Sequence, residues 1–85
     1  MDKDKLRRRL SIIEGQVRGL KEMMEKDAYC IDIITQSSAA KQGLSNVEDI
    51  LLAEHLASCV VKQIKSGNTG KAVNEVLKVY KLKRR

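Results

Sequence analysis

The side chains in this chain that could hold a soft metal are few: two cysteines, one histidine and three methionines. Met1 is terminal, and Met23 and Met24 continue an apolar stripe, which leaves Cys30, His55 and Cys59. His55 and Cys59 stand four positions apart, a spacing that puts two side chains on one helical face about one turn apart and within reach of a single soft ion. The pair alone is a weak signal, because a helical Cys is ordinarily a small hydrophobe. Cys30 supplies a third donor, but on a continuous helix rising about 1.5 Å per residue it lies roughly 37 Å from His55. One chain does not then close the site. In an antiparallel pair of such helices the midpoint between Cys30 and the His55/Cys59 turn falls near Gly43, so Cys30 of one chain meets the pair of the other. Two equivalent sites result, each with two thiolates and one imidazole. That set suits Cu(I) better than hard ions, and Zn(II) with an added water remains compatible. Cys30 also lies in the first turn of its helix, where free amides and the helix dipole favour negative charge.

The elements that must position these residues are helices. The composition has no Pro, Phe or Trp, and Leu, Ile, Val, Ala, Lys, Arg and Glu recur, a mixture that favours helix. Leu6, Leu10, Ile13, Val17, Leu20 and Met24 alternate steps of four and three, the stripe of an amphipathic helix from about Asp4 to Glu25. Asp27 reads as the N-cap of a second helix that runs from Tyr29 until Ser66, Gly67 and Asn68 break the pattern. Thr69 reads as the cap of a third, with Ala72, Val73, Val76, Leu77 and Tyr80 on one side. The second helix, on the order of 50 Å long, is too long for a compact chain of this size and should pack against another subunit. Ser37, Ser38, Ala39, Ala40 and Gly43 at its middle would let two copies cross closely, or would pack against the first helix. The expected architecture is all-α, with three helices per chain and an antiparallel four-helix-bundle dimer.

Length gives the same direction. An 85-residue chain buries only about 60% of its unfolded surface when it folds alone, so a metal or a partner subunit should stabilise it. Two cysteines without an apolar leader-like segment point away from a disulfide scaffold and towards a reducing cytoplasm. No apolar run reaches the roughly 18 residues of a membrane span. Residues 1–85 read as one domain without a linker or repeat. The formal net charge is +6, with the excess at the two ends, in Lys3, Lys5, Arg7, Arg8 and Arg9 and in Lys78, Lys81, Lys83, Arg84 and Arg85. Such ends fit a polyanionic partner and equally fit a solvated surface.

The segments RRLSIIEGQVRGL at 8–20, DAYC at 27–30 and AEHLASC at 53–59 resemble the CsoR-type repressors, and the resemblance covers nearly the whole chain. It implies a single metal-sensing, DNA-binding helical domain that holds operator DNA in the apo form and releases it when Cu(I) binds between subunits. It implies dimers that commonly pair into flat tetramers. The Cys, His, Cys spacing is similar to that of the copper-sensing branch. Nickel- or cobalt-responsive members use an additional N-terminal His and a His where Cys59 stands. Formaldehyde-responsive members typically lack the second Cys, and persulfide-responsive members lack the intervening His.

The resemblance further implies that Tyr29 and Glu75 hydrogen-bond around the coordinated imidazole, although either could be an ordinary surface residue. Arg9 matches a position implicated in operator binding, and Arg8 and Arg18 extend the basic content of the first helix for phosphate contacts. Asn46 departs from a basic position found in some relatives. No helix-turn-helix is legible, and no aromatic residues interleave the basic ones. Two other readings remain: a thiol or persulfide sensor using Cys30 and Cys59, and a copper-buffering protein without operator affinity. No nucleophile, base and orienting group are arranged for catalysis, so an enzyme is not expected.

Overall fold

A computed structural model describes residues Asp2–Arg84, and all of its regular structure is helical. The elements are α1 (Lys3–Glu25), α2 (Cys30–Glu54), a π-helical turn (His55–Val60), α3 (Val61–Lys65) and α4 (Thr69–Lys83). They cluster into two compact units, Met1–Asp49 and Ile50–Arg85, so the division falls within α2. No helix among the described residues is long and apolar enough to cross a membrane.

In the first unit, α1 begins one residue earlier than its stripe predicts, because the Asp2 carboxylate accepts the Lys5 backbone N–H at 3.0 Å and caps the helix. Arg7 and Asp4, one turn apart, add a pair at 3.2 Å on the exposed side. The stripe of α1 is divided by what it touches. Leu6 and Ile13 are buried and Leu20 is half-buried, whereas Leu10, Val17 and Met24 remain exposed. Each set repeats every seven residues, so one line faces α2 and the other is bare. Buried Ala40 and Val47 answer from α2. A Cβ on Gly43 would stand 3.0 Å from Cγ1 of Ile13, so the missing side chain admits Ile13. Of the two readings of the small residues on α2, the structure therefore gives Ala40 and Gly43 to packing within the chain. Ser38 and Ala39 stay exposed.

The turn between α1 and α2 corrects the expectation for Asp27. It lies at φ 54°, in the left-handed region, and does not cap α2. Its N–H donates to the Met24 carbonyl at 3.2 Å and the N–H of Ala28 donates to Met23 at 2.9 Å, which is a Schellman motif ending α1. Asp is one of the few residues besides Gly that enters this region routinely. The carbonyl of Tyr29, accepting from Asp32 and Ile33, opens α2 instead.

The second unit repeats this device. Gly67, at φ 88°, donates to Ile64 at 3.1 Å while Asn68 donates to Gln63 at 2.7 Å, closing α3. Thr69 is the first helical residue of α4 rather than its cap. The cap position belongs to Asn68, whose carbonyl accepts from Ala72 while its side chain makes no capping bond. Ala72 is buried and Val76 half-buried, with Val73, Leu77 and Tyr80 exposed. The single helix expected from Tyr29 to Ile64 is broken in register by the π turn. Side-chain periodicity does not report a local change in backbone hydrogen bonding.

Candidate metal centre

His55 and Cys59 both lie in the π turn. Its amides reach back five residues instead of four, an arrangement that recurs at functional sites. The imidazole is partly accessible, and Cys59 is exposed and free. Nε2 of His55 stands 3.5 Å from Oε2 of Glu75 on α4, an ion pair when the imidazole is protonated and a long polar contact when it is neutral. The other carboxylate oxygen, Oε1, stands 3.9 Å from Nζ of Lys71, one turn earlier on α4. Glu75 is thus directed at the ring from one side, which leaves Nδ1 as the nitrogen open to a metal. A carboxylate behind a histidine is the usual means of fixing a ligating ring and its tautomer. Ser58, between the two candidate ligands, donates its hydroxyl to the Glu54 carbonyl at 2.8 Å.

Cys30 belongs to the first unit, as the first residue of α2, and is a free, exposed thiol. Tyr29 precedes it and is 68% exposed. The structure therefore joins Glu75 to His55 and Cys59 to the same turn as His55, and it places Cys30 and Tyr29 together at the start of α2. No three His, Cys, Asp or Glu side chains among the described residues are grouped as a metal within one chain would require. The donors themselves, two free thiols and an accessible imidazole, fit a soft ion.

The candidate DNA residues are on α1. Arg8, Arg9 and Arg18 are all exposed, as is Arg7, which pairs with Asp4 at 3.2 Å. They do not share one face. Arg9 and Arg18 are about 2.5 turns apart and project to opposite sides of the helix, with Arg8 between them. Arg18 lines a groove of about 600 Å³ with Leu10, Ile13, Glu14, Val17, Lys21 and Leu44, alongside the bare line of α1. On α2, Asn46 accepts from Gln42 Nε2 at 3.0 Å. The two features that sequence reasoning missed are the π turn and Ser58, whose only signal is a hydroxyl four residues after a carbonyl.

Comparison with known proteins agrees with this donor chemistry. Residues 2–81 match the family model of the metal-sensitive transcriptional repressors. The chain is 46% identical over 80 residues to the copper-sensing transcriptional repressor CsoR of Bacillus subtilis (strain 168), spanning 94% of this chain and 79% of that protein. It is 47% identical over 68 residues to the copper-sensing transcriptional repressor RicR of Mycobacterium tuberculosis (strain ATCC 25618 / H37Rv), spanning 80% and 71%. The crystal structure of the copper-sensing repressor CsoR with Cu(I) from Geobacillus thermodenitrificans NG80-2 superposes with a TM-score of 0.88 at 39% identity, covering 96% of this chain and 85% of that one. With its helical fold, its free thiols and its match from residue 2 to residue 81, the chain belongs to the metal-sensitive transcriptional repressor family, that of the CsoR proteins.

Proposed function

We propose that this protein represses transcription by binding operator DNA in its apo form, and that Cu(I), held between subunits, releases it. The observation that carries the reading is the His55 imidazole, backed by Glu75 at 3.5 Å and sharing one turn with the free thiol of Cys59. Cys30 of one protomer and His55 and Cys59 of its partner would hold the ion, with Tyr29 beside Cys30 reaching the same imidazole. The support for a second subunit is twofold. On a continuous helix, 25 residues of rise would hold Cys30 roughly 37 Å from His55, too far for one chain to close the site. Leu10, Val17 and Met24 in one unit, and Val73, Leu77 and Tyr80 in the other, are exposed apolar lines of the kind that subunit interfaces cover. A homodimer, pairing further into a tetramer, covers them. Residues 1–85 act together as one sensing and DNA-binding domain, in a reducing cytoplasm that keeps both thiols free.

Cys30, His55 and Cys59 would hold Cu(I), which when bound would fix one nitrogen of His55 as a ligand. Nε2 of His55 would then keep its proton and donate a hydrogen bond to Glu75, tying α4 to the π turn, with Tyr29 completing the network. The readjusted helices displace the basic residues of α1, and Arg8, Arg9 and Arg18 lose their fit to the phosphates. By linkage, DNA weakens copper binding by the factor with which copper weakens DNA binding. The three arginines fan around α1, so each contacts a different part of the phosphate surface.

The test is an operator titration of reduced apo-protein compared with the same protein loaded with Cu(I), Zn(II), Ni(II) or a polysulfide. Release by stoichiometric Cu(I) is the expected result. Release by polysulfide alone would assign Cys30 and Cys59 to sulfur sensing, and copper binding without any operator affinity would make the protein a buffer.

A further inference from the structure

An α-helix and a π turn place a residue four positions on in different directions. In the α-helix, with 3.6 residues per turn, the fourth residue overshoots a full turn by about 40°. Where amides reach back five residues the turn is wider, and the fourth residue falls short of it. The change of register across His55–Val60 thus moves Cys59 to the other side of the line through His55 and brings the two closer along the axis. The register therefore sets the angle at which the thiolate and Nδ1 would meet a shared ion.

We propose that Ser58 is a positioning residue for this ligand pair: its hydroxyl, bonded to the Glu54 carbonyl at 2.8 Å, latches the turn in the π register that sets Cys59 against His55. Glu54 is the residue at which the register changes, so its carbonyl is the acceptor whose usual partner is displaced. A hydroxyl one turn on supplies a short bond there. The same bond from Thr35 to the Ile31 carbonyl, also at 2.8 Å, lies inside α2 and leaves it an ordinary α-helix. The hydroxyl therefore does not widen a turn by itself; at position 58 it holds one that is already wide. The Ser58 oxygen also stands 3.8 Å from Sγ of Cys59, so the latch adjoins the donor that it positions. Ser58 is exposed, and its effect on affinity is to come from geometry rather than from core packing.

The inference rests on the copper-site reading and is tested separately from it. Reduced full-length protein is titrated with Cu(I) against a chromophoric Cu(I) chelator as wild type, Ser58→Ala and Ser58→Thr, with helicity followed by circular dichroism and coordination by copper X-ray absorption. Tight binding by the wild type is the control, and its failure would sink the copper site itself. The expected outcome is a loss of about 10- to 100-fold in Ser58→Ala, the range for residues that support metal ligands. The absorption edge should change towards fewer donors while helicity is kept, and Ser58→Thr, which makes the same back-bond, should restore both. Wild-type affinity and edge in Ser58→Ala would overturn the proposal. If Ser58→Ala loses helicity, Ser58→Thr decides: a folded Thr variant that binds about tenfold or more weakly than wild type refutes the latch, and one that binds normally supports it.

Discussion

The two units of this protein are built alike and work differently. Each joins two helical segments through a Schellman turn, and each packs one apolar line inward while a second stays bare. The first unit is regular throughout. It carries Cys30 at the ordinary start of a helix and a fan of arginines on an unbroken α1. The second departs from regularity at the candidate ligands: His55 and Cys59 share a π turn, and Glu75 reaches the imidazole from α4. A thiol at a helix start needs only the helix. An imidazole with a carboxylate 3.5 Å behind it needs a second helix, and here the turn that carries it is also wide.

The largest effect is expected at the thiols, one in each unit. Either Cys30→Ala or Cys59→Ala should abolish tight Cu(I) binding, because each removes one of three donors. Chelator competition on reduced protein measures this, and unchanged affinity in either variant would return that cysteine to an ordinary helical residue. The next effect is on coupling. Glu75→Ala leaves every proposed ligand in place, so Cu(I) should still bind while operator affinity becomes insensitive to it. The loss corresponds to the coupling free energy of about 1 to 3 kcal/mol typical of allosteric pairs. Four operator titrations, two proteins with and without Cu(I), read it directly. An equal copper response in both would remove Glu75 from the link.

Smaller effects test the two turns. Gly67→Ala places a side chain at φ 88° and should destabilise the fold by about 1 kcal/mol or more, whereas Asp27→Gly should be neutral or stabilising because Gly enters the left-handed region without strain. Denaturant melts decide both, and an unchanged midpoint for Gly67→Ala would contradict the strain argument. The smallest effect is at the DNA surface: Arg9→Ala should reduce the salt slope of operator binding by about one and leave Cu(I) affinity intact. An identical isotherm at every salt concentration would make Arg9 a solvated surface residue.

Much of the helical framework is legible in the sequence because side-chain periodicity reports which face is buried. The stripe from Leu6 to Met24 locates α1 to within a residue, missing only the Asp2 cap. Periodicity does not report backbone register, so the region from Tyr29 to Ile64 reads as one helix although it contains the π turn. It also does not distinguish a residue that caps a helix from one that ends the helix before it. Asp27 suits both roles, and only the hydrogen bonds of Asp27 and Ala28 decide between them. Small residues are similarly ambiguous, and only the approach of Ile13 shows that Gly43 packs against α1. In the candidate site, the spacing of His55 and Cys59 predicts that the two share one turn, as they do, but alone it is a weak signal of a ligand pair. Glu75 enters through the family resemblance, because nothing in the spacing of α4 directs it at a ring twenty residues upstream.

The central claim is that the metal site is shared between subunits, and complementation tests it most directly. Cys30→Ala chains and His55→Ala/Cys59→Ala chains each lack donors for both sites of their own homodimers. Co-refolded, they form heterodimers in which one site has all three donors and the other has none. Neither variant should bind Cu(I) tightly alone, and the purified heterodimer should bind one Cu(I) with wild-type affinity. A heterodimer that binds no copper tightly, or a Cys30→Ala homodimer that binds it as wild type does, would contradict the shared site.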